Sequence, residues 1–273
     1  MSDEAIIGPV SPPDLHVMTL NVRRRLDHRG WRAADRWEVR RPALEALLRS
    51  ERPSLLGVQE ARPDQTDAIV ALGYRFAGRR EAAGGRGEGC PLFFESGRLE
   101  LLEWAQESLS DRPEVVGSTS WGNLIPRILV SARLRDRATD AEVLVINTHL
   151  DHLSPRSRVR GAQMIRDRVA GQALPVIVMG DLNASERSRP LRELFRGGVL
   201  RDAWTAASER LTPQWGTFAN YRPPRVGGSR IDWIAVTPAV QVQRAGINTR
   251  RFEHRWPSDH LPMQAVVRLP GPG

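Results

Sequence analysis

The chain has 273 residues, 40% hydrophobic and 26% charged, a soluble globular mix with room for a sizeable core. One cysteine, Cys90, excludes a disulfide framework or a thiolate metal cluster within the chain. No run approaches a membrane span, and the acidic start Met1-Ser-Asp-Glu is unlike an export signal, so a cytoplasmic location without stable membrane association is expected. The formal net charge is +8, and all 40 basic residues are arginine. Such total replacement of lysine points to a compositional bias on every surface. The charge therefore predicts attraction of an anionic substrate without selecting nucleic acid.

Residues 1–13 are polar and proline-containing and read as a flexible arm; residues 14–270 read as a single domain. Leu15–Val22 is a predicted strand with Asn21 near its end. A charged loop follows, with Arg23-Arg24-Arg25 as either a solvated face or a phosphate clamp. A helix is expected with Pro42 near its start and Leu44, Leu47 and Leu48 at helical spacing, ending at Pro53. Ser54–Glu60 is the second strand, with a carboxylate at its end. Thr66–Leu72 reads as a helix stopped by Gly73. Gly78–Gly89, rich in glycine and arginine and containing Glu81 and Glu88, reads as a mobile loop; Glu88 reads as a solvated charge, with a position facing the site as the alternative. Pro91–Glu95 and Leu99–Trp104 read as a hairpin joined at Ser96-Gly97.

Leu109–Gly122 is irregular. Arg127–Leu134 and Glu142–His149 are two further strands, the second ending at Asn147 and His149. Ser154-Pro155 caps a helix whose buried stripe is Val159, Ala162, Ile165 and Val169, with Gly171 as its stop. Val176–Met179 is a buried strand that runs through Gly180 into Asp181 and Asn183. Gly180 permits a tight turn or a close approach at that point. Leu191–Phe195 is a short helix, and Thr205–Gly228 is loop-like. Arg230–Val236 places Asp232 within a strand, and Ser258-Asp-His260 precedes the final strand, Leu261–Leu269.

Six polar sites lie in or beside strand-like segments: Asn21, Glu60, His149, Asp181 with Asn183, Asp232, and Asp259 with His260. They are carboxylates, carboxamides and imidazoles, groups that bind hard cations and move protons. No serine or cysteine nucleophile has a comparable setting. The implied chemistry is attack of water on an electrophile, assisted by a divalent metal. Taken singly, Asn21 also reads as a strand-end structural amide, Asp232 as an ion-pair partner and His149 as a satisfied core histidine. His16, His28, His152 and His254 are read in that last class. Trp37, Trp204, Trp215 and Trp233 read as packing, and Trp121 as packing or a stacking surface.

Taken in order, Thr19-Leu-Asn21, Gln59-Glu60, Asn147-Thr-His149, Gly180-Asp-Leu-Asn183, Ile231-Asp-Trp233 and Ser258-Asp-His260 resemble the endonuclease/exonuclease/phosphatase superfamily. This is the DNase I-like group, and the match is to its small bacterial members. The resemblance spans about Leu15 to Leu269. It implies an α/β fold of four layers, two packed mixed sheets flanked by helices. It also implies a Mg2+-dependent phosphoesterase, with Mn2+ as a substitute. Glu60 would be the main metal ligand, with Asn21 beside it and Asp259 assisting. Asp181 would orient or deprotonate the attacking water, and Asn183 would hold that water or the phosphate. His260, buttressed by Asp232, would act as base or as cationic stabiliser. His149 would donate to a phosphate oxygen, and Arg127, after Pro126, would face the site. The expected partner is a phosphorylated substrate, nucleic acid among the options, and the oligomeric state is left open. A nuclease and a catalytically silent nucleic-acid-binding module are the alternatives. Neither Tyr74 nor Tyr221 matches the tyrosine of some DNA-cleaving members.

Overall fold

The structure is a computed structural model that describes residues 4–25 and 33–271. In chain order it contains β1 (Asp14–Asn21), α1 (Trp37–Glu51), β2 (Leu55–Gln59), α2 (Pro63–Val70) and β3 (Tyr74–Ala77). There follow β4 (Arg80–Ala82), β5 (Arg86–Gly89), β6 (Leu92–Glu95), β7 (Leu99–Ser108) and β8 (Ile128–Asp136). Next come β9 (Glu142–His149), α3 (Pro155–Ala170), β10 (Val176–Asp181), α4 (Arg189–Leu194) and β11 (Arg201–Asp202). The chain closes with α5 (Ala203–Ala206), β12 (Glu209–Arg210), β13 (Asp232–Val236), β14 (Gln241–Ile247) and β15 (Met263–Arg268).

Two large mixed sheets carry the fold, with strand orders β12-β14-β15-β1-β2-β6-β3 and β11-β13-β10-β9-β8-β7. Each has one parallel pair at its centre, β1 with β2 and β9 with β10. The strands read as near-continuous apolar runs because both faces are covered. Leu15, Val17, Val145, Ile177 and Met179 pack between the sheets. Met18, Leu20, Leu44, Leu47 and Leu48 form the layer under α1. Ile146, Val178, Ile165 and Val169 form the layer under α3. The layers are thus helix, sheet, sheet, helix, the four-layer sandwich that the resemblance implies.

Several expectations are corrected. Pro42 lies inside α1, which begins at the buried Trp37. The stretch read as a mobile loop is a two-stranded hairpin, β4 with β5, and it turns Glu81 and Glu88 inward. The expected hairpin at Ser96-Gly97 does not form. There β6 pairs with β2 and β3 in one sheet, while β7 crosses to the other and pairs with β8. β3 and β14 were not anticipated, and α5 and β12 interrupt the long loop after Thr205. In the N-terminal stretch, Ile6, Ile7 and Gly8 donate their amides to Glu51, which holds the described part of it down. His254 is exposed, not a core residue, whereas His16 is fully buried. His28 lies outside the described residues. No helix among the described residues is long and apolar enough to cross a membrane.

Candidate active site

The carboxyl ends of both central parallel pairs open at one edge of the sandwich. Asn21 ends β1 and Glu60 follows β2; His149 ends β9 and Asp181 ends β10. Ligands collect at such strand ends in open sheets. Asp181 is in register with His149 on one side and with Asp232 on the other. Gly180 makes this register possible. Its φ is 151°, and a Cβ there would stand 2.0 Å from the carbonyl oxygen of Thr148. The two sheets also approach closely at Gly57, where a Cβ would meet Met179 and Asn147 of the facing sheet. Asn147 uses that space to join the sheets. Its Nδ2 donates to the carbonyl of Val58, and its Oδ1 accepts from Gln59.

The edge holds a cavity of about 560 Å³ lined by Glu60, Asp181, Asn183, His149, Asp259 and His260, with Arg127 beside them. Asn21 and Asp232 support it from beneath, both almost wholly buried. All the residues nominated from the sequence are therefore brought together at one place. Glu60 and Asn183 hold left-handed backbone, with φ of 63° and 46°. Non-glycine residues adopt it at a cost, and such strain gathers at functional sites. Asn220 and Tyr221, which also line the cavity, repeat the strain with φ of 49° and 57°.

Asn21 Nδ2 bridges two carboxylates, donating to Glu60 Oε1 and Asp181 Oδ2, each at 3.0 Å. Its Oδ1 accepts the amide of Arg23. In this arrangement Asn21 spaces the carboxylates and does not turn an oxygen toward a cation. His260 Nδ1 lies 2.9 Å from Asp232 Oδ2, and its Nε2 lies 3.8 Å from Asp181 Oδ2. Burial pushes the His260 pKa down, but Asp232, Asp181 and Asp259 outweigh it and raise it to about 10. Burial and the neighbouring Asp232 push Asp181 up to about 7. Glu60 goes the other way. Burial disfavours its charge, yet the Arg24 amide, the Asn21 side chain and nearby cations hold its pKa low.

Arg127 is buried and organises two imidazoles. Its Nη1 reaches His149 Nδ1 at 3.1 Å, and its Nη2 reaches His152 Nδ1 at 2.9 Å. A guanidinium only donates, so a donor faces Nδ1 of each ring; on the other side of the His149 ring, Asn183 Nδ2 lies 3.1 Å from Nε2. Burial and the Arg127 charge keep His149 neutral, its pKa well below the usual value. His149 Nε2 also lies 3.5 Å from Asp181 Oδ2. His152, expected in the core, is instead exposed on the cavity wall. Trp121 is buried and packs beside Leu109 and Leu150.

Three residues of the site, Asp35, Tyr221 and Arg40, escaped the sequence reading, and a fourth, Glu88, was expected at the site only as the second option. Glu88, expected in solvent, is buried on the hairpin and lines the cavity, where Arg24 Nη1 binds it at 2.8 Å. Asp35 accepts from Arg23 Nε and from the Tyr221 hydroxyl. Tyr221 itself lines the cavity. Arg40 of α1 is buried and donates to the carbonyls of Val22, Arg23, Asp35 and Pro257, which ties the loops on either side of the site to the helix layer. The glycine-flanked Glu88 carried the one available signal, since glycines on both sides suit a tight hairpin.

The donor set suits a hard divalent cation. Ligand atoms of Glu60, Glu88 and His149 lie within 4.8 Å of one another, as do those of Asp181, Asp232 and His260. Burial, followed by repulsion from neighbouring carboxylates, raises the pKa of Glu88 and of Asp181. Burial likewise raises that of Asp259, with Glu60 adding repulsion. Carboxylates crowded at that cost would be relieved by a cation.

The family model described as "Endonuclease/Exonuclease/phosphatase family" matches residues 18–260. A family protein from Bacteroides thetaiotaomicron shares 28% identity at a TM-score of 0.87, over 96% of this chain and 100% of its own. A mannosyl-6-phosphatase of the same bacterium shares 27% at 0.85, over 93% and 99%. The human Nocturnin catalytic domain, at 20% and 0.71 over 94% of each chain, shares the fold. No curated protein sequence matches at the significance applied. With the match running from the first strand to His260, the chain belongs to the endonuclease/exonuclease/phosphatase family.

Proposed function

We propose that the chain is a divalent-metal-dependent hydrolase that cleaves a phosphoester by attack of water on phosphorus, with a phosphomonoester as preferred substrate. The observation that carries this reading is Asp181. Its buried carboxylate meets Asn21 and faces both His149 and His260 inside the cavity that Glu60 shares. A silent nucleic-acid-binding module needs neither Asp181 nor His260. The relative named as a mannosyl-6-phosphatase supports the monoester preference.

Glu60, with Glu88 and Asp259 facing the same space, would hold the cation, which supplies neutralisation of phosphate charge. Asp181 orients the attacking water and takes its proton, suited to that by a pKa near 7. His260 is already charged at neutral pH, so it acts as a cationic stabiliser of the charge gathering on phosphorus, not as the base. With Arg127 Nη1 held against Nδ1, His149 donates Nε2–H to a phosphate oxygen, which takes the place of the Asn183 amide beside Nε2. Asn183 positions the same oxygen or the water.

Hydrolysis with Mg2+, with Mn2+ and with chelator, using Asp181→Asn as blank, tests the reading. The panel holds sugar phosphates, a chromogenic diester, DNA and RNA. Metal-dependent phosphate release from the monoesters is expected. Turnover unchanged in chelator or in the blank would remove the mechanism, and cleavage confined to nucleic acid would replace the monoester reading by the nuclease one.

A further inference from the structure

A second cleft, of about 740 Å³, adjoins the cavity and shares Asn183 with it. It lies between the start of α3 and the segment joining β10 to α4. Arg156, Arg158, Arg160 and Arg189 line it, and no carboxylate does.

In a chain without lysine, arginine identity alone means little; what marks this cleft is four arginines lining one concavity with no acid among them. Some arginines elsewhere are matched to acids, as Arg98 is to Asp136 and Arg230 to Asp202 and Glu186, while others, such as Arg75, Arg222 and Arg225, stand singly on the surface. Among the described residues, none of the four in the cleft lies within ion-pair distance of a carboxylate. Arg158 donates to the backbone carbonyl of Asp151. Arg160 lies over the Trp121 ring at 5.9 Å. Arg156 and Arg189 are exposed and have no polar partner there. Ser188, which also lines the cleft, has a buried hydroxyl without a hydrogen-bond partner. Holding like charges together without acids costs free energy in the empty protein. An anion with several oxygens would relieve it, and guanidinium groups bind phosphate bidentately.

We propose that this cleft is a second phosphate subsite, which grips a phosphate carried by the substrate away from the one that is cleaved. Asn183 marks the junction, so one extended molecule reaches both. This rests on the phosphoesterase reading for the first site and adds a substrate class to it: compounds bearing two phosphates. A sugar bisphosphate and a 5′-phosphorylated dinucleotide share that chemistry.

The test compares wild type with Arg156→Ala/Arg189→Ala on three esters: a hexose 6-phosphate, a hexose 1,6-bisphosphate and a 5′-phosphorylated dinucleotide. Both side chains are exposed and unpaired, so the double variant should fold. KM for a two-phosphate substrate should rise about tenfold or more in the variant, a loss of about 1.4 kcal/mol, with kcat kept. KM for the monophosphate should not move. The two-phosphate compound that responds identifies the source of the second phosphate. Equal changes on all three esters, or none, would overturn the subsite. Calorimetric binding of the same compounds in the Asp181→Asn background separates the two readings. If wild type hydrolyses nothing, the phosphoesterase reading fails. The subsite then stands or falls on whether Arg156→Ala/Arg189→Ala weakens two-phosphate binding in that background.

Discussion

The two ends of β1 show how the same residue types serve different purposes. His16 near its start and Asn21 at its end are about 17 Å apart at strand rise. At the start, Glu51 is buried and accepts from the amides of Ile6, Ile7 and Gly8 and from Asn248 Nδ2. His16 beside it binds the carbonyls of Gly8 and Glu51 and the side chain of Gln264. One carboxylate meets four donors with no second carboxylate against it, and the one loose end is Gln264 Nε2, buried without a partner. At the other end, Glu60, Glu88, Asp181, Asp232 and Asp259 crowd round two imidazoles, and Asp232 Oδ1 has no partner at all. A satisfied buried network holds a fold together, whereas a frustrated one is retained for what it does.

The sharpest way to break this contrast is one substitution at each end. Asp181→Asn removes the proposed base, and kcat should fall about a thousandfold, or about 4 kcal/mol. The same change removes a repelled, buried charge. In chelator at pH 8, above the Asp181 pKa of about 7, the melting temperature should therefore rise. A melting temperature that falls would show that the carboxylate cluster is as well matched as the one around Glu51. Glu51→Gln should do the reverse. The amide places its own N–H groups among donors, and stability should drop by about 3 kcal/mol in urea unfolding, with kcat per folded molecule unchanged. A loss of activity in the folded fraction would mean that the two ends are coupled.

Asp232→Asn is the next smaller change. It leaves the packing in place and withdraws the carboxylate that raises the His260 pKa. The rate at neutral pH should fall about a hundredfold. The alkaline limb of the pH–rate profile should move to lower pH, because a less stabilised imidazolium loses its proton sooner. A limb that stays in place would assign it to another group.

The fold was legible because each central strand is apolar until it ends in a polar pair, and Val176–Asp181 shows this best. Asp181, His149, Asp232 and His260 were legible for the same reason, since strand ends lie at a rim whatever the topology. Glu88 was not. A glycine- and arginine-rich segment looks solvated, and only its pairing as β5 with β4 turns that carboxylate inward. The change of sheet between β6 and β7 was hidden because Ser96-Gly97 suits a hairpin as well as a crossover. Arg40 was invisible for a different reason: a charged residue on a helix is solvated by default, and its partners are backbone carbonyls, which carry no sequence signal.

The smallest effect sharpens the structural end of the comparison. Burial lowers the His16 pKa, although Glu51 and the hydrogen bonds oppose the shift. The native protein therefore holds His16 neutral below pH 6.5, where the unfolded chain takes up a proton. Because the unfolded state then binds more protons, stability must fall as pH drops below about 6.5, by at most about 1.4 kcal/mol per pH unit from this one group. His16→Leu forfeits the hydrogen bonds and should be less stable at pH 8, yet its stability should decline less steeply between pH 6.5 and 5. Urea midpoints across that range measure the difference in slope. Parallel slopes would mean that His16 is charged in the native state, paired with Glu51, and that the first end of β1 also holds an ion pair.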